Sequence, residues 1–270
     1  MLIKLDPIKR GAAFLVLLSA FAFGYNASGQ VALHLLSTVG FSLLLYSAYT
    51  WFLPNKHKNA WNTLITGLIL FLILHYGVTW TDLIYPLTAT FLAVSIKFFV
   101  EYKGSPIVNP AAASLLLAAL VLAFVPGLDR PFVSWWGASF WLLDLGPVQI
   151  PLSLLLLLPW LIFGVPSWRR WTAVLSFFAV YFVGLLLRGQ GLESVQFVFT
   201  DSMIYFYATV MLIEPKTSPF RPSHQLLYGA VAAALIHVLL LVHAPYPELF
   251  ALVAANLGNA TLRWKPTDPA

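Results

Sequence analysis

The polar residues that could do chemistry in this sequence lie beside proline in two short segments of an otherwise apolar chain. The first is Asn109-Pro110, and the second is Glu214-Pro215, followed by Thr217 and Ser218. Proline removes a backbone donor and moves the preceding residue out of the helical region, so each dipeptide predicts a helix boundary. Irregular backbone at membrane depth is tolerated only where it is buried in protein or faces water. The two segments therefore predict either capped loops or the lining of a cavity or ligand site.

Ionisable residues in or beside the apolar segments form a second group of candidates. Such groups are costly in lipid and usually face a bundle interior, a cavity or a partner. Asp201 and Lys97 are candidates for an ion pathway. The alternative for Asp201 is a position at the headgroups, and for Lys97 a side chain that extends to the cytoplasmic interface. Glu214 could instead be paired at the surface with Lys216 or Arg221.

The sequence carries no complete catalytic set, which leaves open whether the protein is part of an enzyme. It has no cysteine, so disulfides, thiolate metal sites and cysteine-held iron–sulfur clusters are excluded. His34, His75 and His237 are well separated, and a packing role is more typical of such residues than metal ligation. We find no phosphate-binding loop and no Ser-His-Asp set.

The composition decides the class of protein that must position these residues. Of the 270 residues, 60% are apolar and only 9% are charged, whereas soluble domains carry roughly a quarter charged residues. The composition excludes a soluble enzyme and a disordered chain. The basic residues are scattered rather than clustered, so no nucleic-acid partner is expected. The chain is predicted to be an all-α integral membrane protein whose surroundings are the lipid bilayer.

About ten transmembrane helices are predicted from the apolar stretches, since each crossing needs roughly 20 residues. They cover residues 11–27, 31–53, 61–80, 83–101, 108–126, 148–165, 171–188, 194–213, 224–243 and 247–262. With both termini in the cytoplasm, every Lys and Arg except Arg130 and Arg188 lies on the cytoplasmic side. This asymmetry follows the positive-inside rule and indicates a multi-pass protein of the inner (cytoplasmic) membrane.

The predicted organisation is a single membrane domain, residues 1–270, with two pseudo-symmetric halves. The halves are residues 1–126 and 148–262, joined by the Trp-rich loop 127–147. Because Trp favours the headgroup level, we expect this loop to lie along one membrane face. Interrupted segments at matching places in repeated halves are typical of the functional centre in membrane transport folds.

Four stretches of the chain resemble, in the same order, motifs of the NqrB/RnfD family. Residues 96–117, IKFFVEYKGSPIVNPAAASLLL, resemble that family's KxxxxxxGxxxFNPAA segment, and residues 211–219, MLIEPKTSP, resemble its TDPVTSP. Residues 62–68, NTLITGL, resemble its NSALLTGLL, and residues 250–256, FALVAAN, resemble its FAVLLAN. Together the stretches span most of the chain between residues 61 and 260.

Members of that family are membrane subunits of the Na+-translocating NADH:quinone oxidoreductase and of the Rnf ferredoxin:NAD oxidoreductase. The resemblance implies a subunit that couples redox transfer to ion translocation and acts only with other subunits of a membrane redox complex. It implies that the residues that bind a cofactor or line the pore are Asn62, Asn109, Pro110, Glu214, Pro215, Thr217 and Ser218.

One departure from the family concerns its flavin. Members with covalent FMN carry it on the threonine of an SGAT- or SQAT-type motif, in a long loop after the fifth span. The corresponding loop here, 127–147, is short and contains no threonine, so no covalent FMN is expected. A non-covalent FMN or riboflavin is the cofactor that the resemblance then implies. The alternative function is a stand-alone channel or carrier for a small polar solute or an ion on the same scaffold.

Overall fold

The part of the chain before the Trp-rich loop is built from five helices joined by short connections. The computed structural model describes residues 6–54, 59–77, 79–102, 104–128, 131–139, 142–144, 149–191, 194–195 and 202–264. In this part of the chain, the helices before the Trp-rich loop are α1 (Pro7–Tyr25), α2 (Gly29–Phe52), α3 (Ala60–Ile73), α4 (a 3-10 turn over Trp80–Leu83, then Ile84–Phe99) and α5 (Pro110–Leu122). A hairpin of β1 (Glu101–Tyr102) and β2 (Ser105–Pro106) connects α4 to α5.

Local sequence explains where these helices begin. Asp6 accepts a hydrogen bond from the backbone N–H of Ile8 at 2.7 Å and caps α1, with proline at the first helical position. Asn59 caps α3 in the same way through the N–H of Trp61, at 2.9 Å. Side-chain caps of this kind satisfy backbone donors that a helix start leaves without partners.

The second half is also helical within the described residues. Before it come a short helix, α6 (Trp136–Ser139), and two antiparallel paired strands, β3 (Leu142–Asp144) and β4 (Gln149–Pro151). The following helices are α7 (Leu152–Phe163), α8 (Val165–Trp168), α9 (Trp171–Leu187), α10 (Ser202–Phe206, continuing as a π-helical turn over Tyr207–Met211), α11 (Pro222–Leu241) and α12 (Pro247–Trp264). The two halves meet where α12 packs against α5.

The helices have the length and composition of an all-α membrane protein. In the described residues, four helices are long and apolar enough to cross a membrane: α1, α2, α4 from Thr81 onwards, and α11. Other apolar helices, such as α3 and α5, are shorter than the roughly 20 residues that one crossing needs. Ten spans, the division into halves and cytoplasmic termini therefore stay predictions.

Helix α3 corrects the predicted span over residues 61–80, because it ends at Ile73. The chain continues in extended form, and Leu74 forms an antiparallel bridge with Val133. The backbone oxygen of Ile73 accepts hydrogen bonds from the N–H groups of Ser134 and Trp135, both at 2.9 Å. Apolar residues lie on both sides of the end of α3 and extend the hydropathy signal past Ile73, so hydropathy did not show where the helix ends.

Two tryptophans of the Trp-rich loop pack into the protein. Trp135 and Trp136 are only 7% and 4% exposed. The indole N–H of Trp136 donates to the backbone oxygen of Phe71 at 2.8 Å, in the last turn of α3. Buried indole groups need such a partner, and a helix end offers free carbonyls. These two indole groups are thus held by the protein, the position of the loop along a membrane face stays a prediction, and Trp141 lies outside the described residues.

Candidate functional site

The two proline-marked breaks meet in the folded protein. The side-chain amide of Asn109 donates to the backbone oxygen of Met211 at 3.3 Å, which links the two halves. The backbone N–H of Asn109 donates to Oδ1 of Asn256 at 2.7 Å, and Nδ2 of Asn256 donates to the hydroxyl of Tyr228 at 2.6 Å. We call the polar cluster around these contacts the junction; its members are Asn62, Thr66, Lys97, Asn109, Glu214, Thr217, Ser218, Tyr228, Asn256 and Asn259.

Asn109 is held in place by the helix that it starts. Its Oδ1 accepts a hydrogen bond from the N–H of Ala112 at 3.0 Å, and Pro110 occupies the first position of α5, as predicted. Asn109 is 1% exposed. Each hydrogen-bonding atom of its side chain therefore has a protein partner, and the residue fastens the start of α5 to the second half.

The second break is a tight turn after α10. The backbone oxygen of Glu214 accepts from the N–H groups of Thr217 and Ser218, at 3.1 and 2.9 Å, and from the Ser218 hydroxyl at 2.8 Å. The hydroxyl of Thr217 donates to the Glu214 carboxylate at 3.3 Å. Thr217 and Ser218 are buried, whereas Pro215 is exposed. Asn259 on α12 then donates to the backbone oxygen of Thr217 at 2.7 Å and ties the turn to the bundle.

Lys97 lies inside the protein rather than at the interface. It is 5% exposed, and its ammonium donates to the backbone oxygen of Asn62 and, at 2.6 Å, to the hydroxyl of Thr66. The alternative of a side chain extended to the membrane surface is therefore wrong, because oxygen acceptors on α3 lie within its reach. Asn62 contributes its carbonyl, and the structure gives no junction contact through its side chain.

The charges of Lys97 and Glu214 act on each other across the two halves. Burial raises the pKa of the Glu214 carboxyl above its ordinary value. Lys97 opposes that rise more strongly than Lys216 does, and the Thr217 hydroxyl adds to the opposition. Glu214 is partly exposed, so its interpretation as part of a surface ion pair with Lys216 or Arg221 stays a prediction.

Arg170 is a buried cation beside the second break that the sequence analysis missed. It is 4% exposed, and its Nε donates to the hydroxyl of Ser218 at 2.9 Å. Its guanidinium lies over the ring of Phe220, 5.3 Å from the ring centre. Burial lowers the pKa of Arg170 from an ordinary value that is far above neutrality, so the group remains a cation. In the sequence, Arg170 stands next to Arg169 between two predicted spans, and this pattern predicts only a cytoplasmic loop.

The remaining candidates lie apart from the junction or outside the described residues. Asp201 lies outside them. Nε2 of His34 donates to the backbone oxygen of Phe71 at 3.1 Å, and Nε2 of His237 donates to that of Tyr181 at 2.8 Å. In the part of the chain that the structure describes, no group of three or more potential ligands could hold a metal ion.

Comparison with known proteins adds no family to this geometry. No protein-family model matches the sequence, and no curated protein matches it. The resemblance to the NqrB/RnfD family therefore rests on the four quoted stretches alone.

The junction does not fit a non-covalent flavin. An isoalloxazine ring needs free donors and acceptors around it, but the polar side-chain atoms of Asn109, Thr217 and Asn256 already bond within the protein. Buried polar atoms without a partner do occur in the described residues, for example at Tyr207 and His237, but none belongs to the junction.

Proposed function

We propose that this chain is a membrane subunit of an electron-transport complex, similar to those of the NqrB/RnfD family, that couples redox transfer to ion translocation. The observation that supports the proposal best is the junction, where buried hydrogen bonds join the two breaks and a buried lysine lies in the same polar cluster as the Glu214 carboxylate. Ionisable groups buried in a membrane protein are typical of ion and proton pathways. Other subunits would carry the redox chemistry, in the inner (cytoplasmic) membrane.

The proposed mechanism uses the electrostatic attraction between Lys97 and Glu214, which a bound ion would change. A cation or a proton that binds the Glu214 carboxylate weakens this attraction, because charges in a low-dielectric interior interact strongly. Lys97 keeps its hydrogen-bond acceptors on α3, so the attraction between the two breaks falls while Lys97 stays in place. Ion binding would thereby bias the position of one half against the other, which is the form of coupling that an ion-translocating subunit needs.

The second candidate function is a stand-alone channel or carrier for a small polar solute or an ion. The hydrogen bonds that join the two breaks lie within this one chain, which favours it, because no second subunit is needed to hold the breaks together. A fold by itself does not decide between these functions.

Purification from the native membrane separates the two proposals. The first predicts co-purifying redox subunits, and ion uptake by proteoliposomes of the whole complex only when an electron donor is supplied. The carrier predicts flux through the isolated chain without any donor, and that result would overturn the first proposal.

Variants of the junction connect the activity to these residues. Asn109→Ala and Glu214→Gln should abolish coupled ion uptake while membrane insertion is retained. Glu101→Gln is the matched control, because it neutralises a glutamate that precedes the first break but is not a member of the junction. Wild-type uptake by both junction variants would refute the assignment.

A further inference from the structure

A groove of about 210 Å³ lies on the surface of the second half, between α11 and α12. A short connection, residues 242–246, joins these two helices, so they pack side by side in opposite directions. The lining residues include His224, Leu227 and Val231 on α11, and Ala254, Gly258 and Thr261 on α12. The start of α11 and the last turns of α12 therefore form one end of the groove.

The polar side chains of the groove lie towards this end, whereas Val231 and Ala254 at the other end are apolar. Leu227 and Val231 are 57% and 38% exposed, and they belong to a helix that is long and apolar enough to cross a membrane. From His224 to Val231 the helix rises about 10 Å at 1.5 Å per residue, which is within one leaflet of a hydrocarbon core about 30 Å thick. The groove thus suits an amphiphile with a polar head and an apolar chain.

Gly258 keeps the groove open on the side of α12. Glycine in a helix interior is less stable than alanine, because it loses more backbone freedom on folding. A Cβ added to Gly258 would meet no described atom within 4 Å, so packing within the described chain does not require glycine here. Its effect is to leave room for a molecule from outside the chain.

The charges near the polar end favour an anion. Arg221 is exposed three residues before His224, and neither side chain forms a hydrogen bond or an ion pair with another described residue. No residue that lines the groove in the described part of the chain is an aspartate or glutamate. Glu214 in the preceding turn is not a lining residue, and Lys97 and Lys216 act on it. Because the antiparallel helices bring opposite dipole ends together here, the side chains decide the sign of the charge.

We infer that this groove binds an anionic phospholipid, with the phosphate at Arg221 and His224 and one acyl chain along Leu227 and Val231. Basic pockets between membrane helices bind anionic lipid head groups. A free phosphate would leave the apolar part of the groove uncovered, whereas an acyl chain covers it. A zwitterionic lipid has a cation of its own beside the phosphate, so it gains less from Arg221. Lipid binding at this groove does not depend on the proposed function.

The test is lipid binding by the purified full chain in detergent, counted by native mass spectrometry. Dioleoyl phosphatidylglycerol is the anionic probe, and dioleoyl phosphatidylcholine is the zwitterionic probe with the same acyl chains. We expect one bound phosphatidylglycerol per chain, with an affinity about fivefold higher than that of phosphatidylcholine, as one cation at a membrane surface provides. Glycerol 3-phosphate, which has no acyl chain, should bind at least about tenfold more weakly than phosphatidylglycerol.

Two variants test the two parts of the groove. Gly258→Phe adds a ring where a new Cβ meets open space, and it should weaken the binding of both lipids about tenfold. Its matched control is Gly24→Phe, at a glycine of α1 that also has open space around it. Arg221→Gln should lower the affinity for phosphatidylglycerol about fivefold and leave that for phosphatidylcholine unchanged. Lys9→Gln, which removes an exposed cation from α1, is the control for net charge. Both controls should bind like the wild type.

Equal lipid binding by Gly258→Phe and the wild type overturns the groove as the site. Equal affinity of the wild type for the two lipids, or a loss in Lys9→Gln as large as in Arg221→Gln, overturns the anionic assignment. Glycerol 3-phosphate that binds as tightly as phosphatidylglycerol overturns the lipid. A wild-type dimer that Gly258→Phe dissociates shows a second copy in the groove, and this also overturns the proposal. If Gly258→Phe does not fold, Arg221→Gln decides, because its exposed side chain is not needed for packing.

Discussion

Replacement of Asn109 tests whether the contact between the two breaks stabilises the protein. In Asn109→Ala the α5 start loses its side-chain cap, and the backbone oxygen of Met211 loses one of its two donors, because the N–H of Glu214 also bonds to it, at 3.4 Å. The cap is worth about 1 kcal/mol. The hydrogen bond to Met211 is worth about 0.6 kcal/mol by the average for membrane proteins. The free energy of unfolding should therefore fall by about 1.6 kcal/mol.

Two further variants divide this loss between its causes. Asn109→Ser keeps an oxygen that can cap α5 but is too short to reach Met211, so its loss should be that of the inter-half hydrogen bond alone. Asn59→Ala removes an exposed cap from α3 and should cost about 1 kcal/mol, as caps generally do.

The assay is unfolding by SDS in mixed micelles, followed by tryptophan fluorescence. If Asn109→Ala loses no more stability than Asn59→Ala, and Asn109→Ser none, then the contact with Met211 is energetically neutral. In that case the junction would not hold the two halves together, and the reasoning from geometry to coupling would fail.

Three other predictions follow: two concern the charged residues at the second break, and one concerns the hydrogen bond of Trp136 to the end of α3. Burial raises the pKa of Glu214, so the folded protein binds a proton at this residue more tightly than the unfolded chain does. The free energy of unfolding is therefore highest below the ordinary glutamate pKa and falls as pH rises through the raised value. Lys97→Met should raise that pKa further and shift the loss to a higher pH, whereas Glu214→Gln should remove this pH dependence, as unfolding at pH 4 to 9 would show. Arg170→Met should lower the free energy of unfolding by about 1–3 kcal/mol. Arg170→Lys should recover only part of that loss, because lysine lacks the planar guanidinium that bonds to Ser218 and lies over the ring of Phe220. Trp136→Phe should cost about 1 kcal/mol in the same unfolding assay, because the ring remains while its hydrogen bond to α3 is lost; no change would mean that His34 alone satisfies that carbonyl.

Sequence reasoning succeeded where the chain itself encodes the local structure. Asn109-Pro110 is a strong start signal, and α5 begins at that proline with the asparagine as its cap. Glu214-Pro215 marked the end of α10, although the next helix begins only at Pro222. The polar partners Asn256 and Asn259 are three residues apart and thus on one face of α12. This spacing could have indicated a polar helix face, but Asn256 entered the sequence analysis only through the resemblance and Asn259 not at all.

The parts that failed depend on contacts between segments that are distant in sequence. The end of α3 is set by hydrogen bonds from Ser134 and Trp135, some 60 residues further along the chain, and hydropathy carries no trace of them. Lys97 is buried because Thr66 and the Asn62 carbonyl lie within its reach. A lysine near a helix end looks the same in the sequence, whether it points to water or to a neighbouring helix.

The shortness of α3 has an electrical consequence. Its 14 residues span about 21 Å at 1.5 Å per residue, less than the hydrocarbon thickness of about 30 Å. If α3 lies on the ion path of the proposed function and water enters beyond its ends, the transmembrane voltage would drop over this shorter insulating stretch, and the field along α3 would be steeper than in the surrounding lipid. A unit charge that crosses the whole drop exchanges about 2.3 kcal/mol per 100 mV with the membrane potential, and an ion that moves beside this helix would carry much of that energy in one step.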